Sequence, residues 1–437
     1  MKMKSRARAW WPLIALGILA LLAPARAAGQ TGAQAPTPQK LPARVTMDEA
    51  IRLALQHNHS LQAARTLVLQ NRAEEITANL RPNPVALVDE QYLPLFTPSS
   101  FTRDYVNQNA VFDAGLSYLI ERGKKRQHRL AAAKDQTAET AATVTDDERI
   151  LTSEVAQQFI AALLAKADLD LAQQDLKSFQ QTVDISEDQY KAGSMSEGDL
   201  LKIKLQLLQF QMDVSSARLA RVQALASLRQ LMGFDSVPEN YEVEGDLTYQ
   251  SVHLNLDDLK MLALRTRPDL RAAQLGIQAA RSQYSLAQAN GKRDLGVTFT
   301  YNHLTGINTG SLFFNIDIPI FDRNQGEIAR TRYAITQSQE LSSEQASLAL
   351  TDVENAYESL RTSDQVVKLY QSGYLKQSED SRNISQYAYQ RGAASLLDYL
   401  DAERTYRGTE FAYRQALANY MISLEQLRQA VGTRSLP

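Results

Sequence analysis

The sequence predicts a mainly α-helical protein made of two tandem helix–β-hairpin–helix repeats, with a small β part suited to a membrane. Three observations predict it: helix breakers are scarce, the chain repeats itself, and short segments alternate apolar with polar residues. Only 19 glycines and 13 prolines occur in 437 residues, well under average usage, so long unbroken helices are expected. A hydrophobic content of 44% with 22% charged residues excludes a disordered chain. A mean hydropathy of −0.34 excludes a polytopic helical membrane protein. The 47 Lys and Arg nearly balance the 49 Asp and Glu, so no strong field points to nucleic acid as a partner. With no cysteine, disulfides, thiolate metal sites, cysteine nucleophiles and a lipidated N-terminal cysteine are all excluded.

The N-terminus reads as an export signal over residues 1–27. Lys2, Lys4, Arg6 and Arg8 form a basic region, Trp10 to Leu22 is an apolar run interrupted by Pro12, and Ala25-Arg26-Ala27 supplies a small-x-small cleavage pattern. The apolar run is too short to span a bilayer, which takes about 20 residues. An uncleaved amphipathic leader is the alternative reading. Residues 28–44, rich in Gln, Ala, Pro and Thr, read as a flexible arm.

The duplication organises the rest. Met47 to Ala64 aligns without a gap on Leu256 to Ala273: Leu53, Ala54, Leu55, Leu61, Ala63 and Ala64 recur as Leu262, Ala263, Leu264, Leu270, Ala272 and Ala273. Further on, Tyr190, Gly193, Ser196, Asp199, Leu228 and Gly233 recur as Tyr389, Gly392, Ser395, Asp398, Leu427 and Gly432. The expected domains are a first repeat over 45–233, a linker over 234–255, a second repeat over 256–433 and a short tail over 434–437. A period of about 200 residues is far longer than a solenoid repeat, so it marks one duplicated domain.

Long helices follow from the missing breakers. From Lys124 to Ala192 there is neither Gly nor Pro, and one straight helix of that length would reach about 100 Å. Glu327 to Arg391 mirrors it, with Gly373 as the only breaker. Val155, Phe159, Ala162 and Leu163 recur at helical spacing among Gln, Asp and Lys, with alanines that allow close helix approach. Helices this long need coiled-coil partners.

Strands are expected at about 84–92, 108–120, 295–303 and 311–321. In Leu295 to His303, Leu295, Val297, Phe299 and Tyr301 oppose Gly296, Thr298, Thr300 and Asn302. Leu312, Phe314, Ile316, Ile318 and Ile320 alternate likewise, as do Ala110, Phe112, Ala114, Leu116, Tyr118 and Ile120. Transmembrane barrel strands show this pattern, apolar toward lipid and polar toward a wet lumen; a half-buried soluble sheet shows it too, and the export signal favours the membrane. Four strands cannot close a barrel, and open edges are not tolerated in lipid, so several copies must combine. Local physics does not choose between two, three and four.

Two turns stand out as candidate working parts. Tyr190 to Leu201 and Tyr389 to Leu400 each place a glycine (Gly193, Gly392) at a helix end and restart with Ser-x-x-Asp (Ser196 with Asp199, Ser395 with Asp398). That pattern matches a capping box. Asp398 and Asp401 are three apart and share a helix face. His57 and His59 are two apart and point to different helix faces, while His128, His253 and His303 stand alone. A metal site, a cofactor and a catalytic set are therefore not expected.

The duplicated layout, together with "YLIERGKKRQHR" (Tyr118 to Arg129) and "IPIFDRNQGEIARTR" (Ile318 to Arg332), resembles the TolC-like outer membrane efflux proteins. It is most similar to the CzcC-like outer membrane components of heavy-metal resistance–nodulation–division (RND) systems. The resemblance implies a homotrimer with a twelve-stranded β-barrel in outer membrane lipid and a long periplasmic α-helical barrel. It further implies docking at the hairpin tips to a periplasmic adaptor and an inner-membrane RND pump, with heavy-metal cations as cargo. Ducts for organic compounds or for type I protein secretion share this layout. By the same resemblance the tunnel closes at the hairpin tips, where Asp398 and Asp401 match lumenal carboxylates and Tyr389 a tyrosine of the closed state; Asp199 belongs to the same constriction. Ala394 stands where relatives carry an arginine partner. A periplasmic helical-hairpin adaptor would show one hairpin instead of a duplication, and a coiled-coil tether would have no use for the strands.

Overall fold

The computed structural model describes residues 43–436; the expected signal peptide and nearly all of the expected arm lie outside them. Arg44 is not part of a free arm: Arg44–Val45 (β1) pairs in parallel with Glu242–Val243 (β4) of the inter-repeat connection. The first repeat runs α1 (Met47–His57), α2 (His59–Ala78), β2 (Val85–Gln91), α3 (Arg103–Asn109), β3 (Val111–Ile120), α4 (Lys125–Lys191) and α5 (Glu197–Met232). The second runs α6 (Leu256–Thr266), α7 (Pro268–Asn290), β5 (Leu295–Leu304), β6 (Ile307–Asn315), α8 (Gln325–Leu369), α9 (Leu375–Gln390) and α10 (Leu396–Val431). α4 is 67 residues without a break, about 100 Å of helix. Its counterpart is divided by a π-helical turn, Tyr370–Tyr374, where Gly373 adopts φ 132°. No helix among the described residues is long and apolar enough to cross a membrane.

The four long strands form one antiparallel sheet in the order β2-β3-β5-β6. The helices beneath follow the same sequence, with α4 packed between α2 and α7, and α7 between α4 and α8. Each strand thus continues into the helix below it. Register separates the two faces: Leu116, Phe299 and Leu312 lie side by side, as do Tyr118, Val297 and Phe314. Phe299 and Phe314 are 54% and 63% exposed. On the other face the polar groups are stitched across strands, Asn302 donating to Asp113 at 2.6 Å and Thr298 to Ser117 at 2.9 Å.

Two strand boundaries differ from expectation. Residues 108–110 do not begin β3, because Thr102 caps α3 through Tyr105 N–H and α3 runs to Asn109. β6 starts at Ile307, since Thr305 and Gly306 both take positive φ (51° and 76°) and make the tight turn whose twist suits a two-residue hairpin. It ends at Asn315, opposite Gly296. Ile316, Ile318 and Ile320 go on alternating, but β5 begins at Leu295 and leaves them no partner strand among the described residues, and Pro319 has no N–H to offer. The loop from Asp322 to Asn324 also works differently from a plain helix cap. Asn324 takes φ 61° and makes no side-chain cap; its amide reaches across to the Ala287 carbonyl at 2.7 Å. On the other side, Lys125 meets Asp294 at 2.7 Å and Arg129 binds Glu121 and the Ala78 carbonyl. The two sequence motifs at the strand ends therefore fasten sheet to helices.

The duplication extends to a joint that uses unlike residues. In the first repeat Asn58 breaks α1 from α2 and donates to the Leu231 carbonyl at 2.9 Å, beside Gly233. At the equivalent place Arg267 breaks α6 from α7, donates to the Ala430 carbonyl at 3.0 Å and lies against Gly432. Arg267 is 5% exposed and also binds Asp269 (2.6 Å) and Asp352 (3.0 Å). Burial pushes the Asp269 carboxyl up, but the hydrogen bonds and charge of Arg267 outweigh it and hold the group below the usual range. Around each joint sits an apolar core, with Ala54, Val155, Phe159, Leu228 and Met232 in one and Leu259, Ala263, Val353, Leu427 and Val431 in the other.

Removing one partner of a buried ion pair typically costs about 3–5 kcal/mol, so Arg267→Met should lower stability by that order in denaturant unfolding of the detergent-solubilised protein. Because Asp269 is depressed in the fold, its contribution should be present at neutral pH and lost as pH falls through the folded-state value. Gly233→Ala should cost at least about 1–2 kcal/mol, since φ is 90° and the new Cβ would lie 2.7 Å from the His57 carbonyl oxygen.

Candidate functional site

Far from the sheet, the two coiled-coil hairpins end in matched turns. α4 stops at Gly193 (φ 76°) and α9 just before Gly392 (φ 73°). Ser194 N–H returns to the Gln189 carbonyl and Ala393 N–H to the Ala388 carbonyl, the pattern of a helix closed by a left-handed residue. Each new helix begins on a serine. Ser395 and Asp398 form the full reciprocal capping box. Ser196 accepts from Asp199 N–H at 3.1 Å and donates to its carboxylate at 2.9 Å, without the return bond to its own N–H. The Asp199 carboxyl is held below its usual range by Ser196 and Lys202.

These contacts sort the candidate acids. Asp398 spends its carboxylate on the cap, at 2.7 Å from Ser395 Oγ. Asp401 is free of the cap, 63% exposed at the side chain, and paired only with Arg404 one turn on at 2.8 Å. Asp199 is occupied by its own cap and by Lys202 at 3.1 Å. The two equivalent tyrosines also part company: Tyr190 is exposed, whereas Tyr389 is half-buried and stacks on Tyr399 at 5.4 Å. A groove of about 820 Å³ separates the tips, lined by Ser196, Asp199, Lys202, Tyr389, Arg391, Gly392 and Ser395. The structure thus brings Tyr389, Asp199, Ser196, Gly392 and Ser395 to one groove, with Asp401 outside it.

Behind the tips the hairpins lock through Phe179 stacked on Phe210 (4.5 Å), with Ile203, Leu396 and Tyr399 around them. Tyr399 meets Thr182 Oγ1 at 3.3 Å, and burial pushes its hydroxyl up to about 12. One turn and two turns further along α10 come Glu403 and Arg407. Arg407 binds Asp175 of α4 at 3.1 Å and Asp213 of α5 at 2.6 Å while lying over the Phe210 ring at 4.1 Å. The contact between repeats therefore combines an apolar patch, Leu396 and Tyr399 against Phe179 and Ile203, with the charges gathered on Arg407. Sequence reasoning missed this group; each residue alone looks like an ordinary solvated helix position. Among the described residues no group of three or more His, Cys, Asp or Glu is placed to hold a metal ion.

The duplicated frame, the four-stranded sheet and the paired hairpins have counterparts among known proteins. The outer membrane efflux protein pattern matches residues 50–234 and 259–433. The chain belongs to the outer membrane efflux protein family. Its sequence is 25% identical to the cobalt-zinc-cadmium resistance protein CzcC of Cupriavidus metallidurans, over 91% of this chain and 90% of that protein. It is 29% identical to the cation efflux system protein CusC of Escherichia coli, over 61% of this chain and 60% of that one. The outer membrane channel CmeC of Campylobacter jejuni has the same fold, with a TM-score of 0.74 at 16% identity over 88% of this chain and 85% of that one. The family is one of efflux channels and not of enzymes.

In this efflux protein Tyr399, 2% exposed, is the aromatic pin between the hairpin tips. Tyr399→Ala should cost about 3–5 kcal/mol of local stability and render the 391–395 turn more sensitive to limited proteolysis. Tyr399→Phe should cost only about 1 kcal/mol, the net value of one hydrogen bond. Equal sensitivity of both variants to protease would contradict that division.

Proposed function

We propose that the chain is the outer membrane duct of a tripartite efflux system for metal cations. The single observation that carries it is the sheet: its apolar face is exposed, its polar face is stitched by hydrogen bonds, and β2 and β6 lie at its two edges. Such a sheet becomes tolerable in lipid once copies close it. Three copies give twelve strands, and the four helices ordered beneath each sheet extend the same ring into the periplasm. The chain reaches that position by export with a cleaved signal over residues 1–27 and without a lipid anchor, the barrel alone holding it in the outer membrane. The cargo assignment rests on likeness to CzcC and CusC.

In this reading the hairpin tips meet a periplasmic adaptor, which joins the duct to an inner-membrane RND pump. Tyr190, Gly193, Ser196, Gly392 and Ser395 shape the docking turns. The constriction is formed by Asp401, with Asp398, Asp199 and Tyr389 supporting it: the first two acids set helix starts and Tyr389 anchors the tip. Asp401 lies outside both caps, its carboxylate held by an exposed pair with Arg404, and threefold symmetry makes it a ring that attracts cations.

A strain lacking the gene should become several-fold more sensitive to cobalt, zinc or cadmium salts, and the intact gene should restore resistance. Unchanged metal tolerance with new sensitivity to organic toxicants would instead favour the organic-compound duct. In planar bilayers, Asp401→Ala should raise single-channel conductance and reduce cation preference, while Asp398→Ala should mainly cost about 1 kcal/mol of helix capping. Identical conductance and selectivity for wild type and Asp401→Ala would remove Asp401 from the constriction.

A further inference from the structure

In the charged group between the repeats, Glu403 is a buried carboxylate with no bonded cation. Around Arg407 stand Asp175 and Asp213, both in direct contact with it. Glu403, one turn away on the same face of α10, is 8% exposed and has no ion pair within 4 Å among the described residues. The second guanidinium, Arg382 of α9, lies over the Tyr406 ring at 4.3 Å, and its Nε has no hydrogen-bond partner. Arg382, Arg407 and, further along α10, Arg414 all act on this group, yet Glu403 lies buried with none of them bonded to it. A buried carboxylate without a bonded partner is costly as an anion and far cheaper as an acid.

We propose that Glu403 is the proton-binding element of a clasp between the two repeats, carrying a proton while α10 packs on α4 and releasing it when the helices part. The groups facing it account for the direction. Burial pushes the Glu403 carboxyl up; Arg382 pulls it down, Asp175 pushes it up again, and Arg407 pulls it down. Asp175 is itself raised by burial against the pull of Arg407, and Tyr399, the turn before, stays neutral at about 12. A carboxyl raised in the packed state and ordinary in the parted state binds more protons packed than parted. The packed seam is therefore favoured as pH falls through the packed-state value and disfavoured above it. Arg407 supplies registry by gripping both α4 and α5 from α10, while Glu403 supplies the dependence on pH. For a duct, this couples seam opening to periplasmic proton activity; that consequence rests on the proposed function, whereas the protonation itself does not.

The test uses the full chain in its detergent-purified state. Having no native cysteine, it accepts spin labels cleanly at Gln181→Cys on α4 and Thr405→Cys on α10, both exposed positions. Wild type should shift its label-to-label distances toward the longer population by at least about twofold between about pH 4 and pH 8. Glu403→Gln should hold the short population at both pH values. Arg382→Gln, which removes one facing cation and keeps Glu403, should move the midpoint to higher pH. Infrared difference spectra over the same range should contain a protonated-carboxyl band that Glu403→Gln reduces. A pH-dependent distance that survives Glu403→Gln, a midpoint unmoved by Arg382→Gln, or an unchanged carboxyl band would each overturn the clasp. A clasp that behaves as expected in a protein that conducts no ions would overturn the duct and leave the clasp standing.

Discussion

An unpaired strand edge cannot rest in hydrocarbon, and this chain has two of them. β2 and β6 carry rows of N–H and C=O groups with no partner strand among the described residues, next to an apolar face that water would not favour. Everything else in the architecture answers that constraint. The duplication supplies two pairs of strands, the sheet order matches the helix order below it, and the junction residues Asp294, Lys125, Arg129 and Asn324 tie each strand end to its helix. In the proposed duct, closure by further copies would build wall and tunnel from one repeated pattern.

The helical part divides its labour between two kinds of contact. Within each repeat, alanines and aliphatic groups bring helices together and provide most of the burial free energy. Between repeats, the tip region adds Arg407, Asp175 and Asp213 to the apolar contacts of Leu396 and Tyr399. Buried ion pairs add little net stability against an apolar alternative, yet they fix register, because a one-turn slip would strand each charge. The equivalent joints at Asn58 and Arg267 sit at the opposite end of the same helices, where burial is densest and both residues donate to the closing carbonyl of the last helix in their repeat.

Much of this was legible in the sequence because it follows from spacing. The duplication came from aligned Leu, Ala and Gly positions, helix length from the missing breakers, and β5 from strict alternation at Leu295 to Asn302. What was not legible depends on tertiary partners. Ile316 to Ile320 alternate as a strand but have no neighbour to pair with, and β6 begins earlier, in the polar run Ile307 to Ser311, because a two-residue turn dictates its register. The ungapped alignment sets Asn58 opposite Arg267, but side chains so unlike give no local sign that they do one job. The Ser-x-x-Asp turns were read correctly as caps in kind, but only the second completes the reciprocal box. Asp175, Asp213, Glu403 and Arg407 are distant in sequence, and no local pattern links them.

The central claim is that several identical chains share their hairpins to make one closed wall. Native mass spectrometry of the signal-free chain, released from the membrane fraction with detergent, tests it most directly. The account predicts a single species of three copies that dissociates only on unfolding. A stable one-copy species that stays in solution once detergent is removed would contradict it.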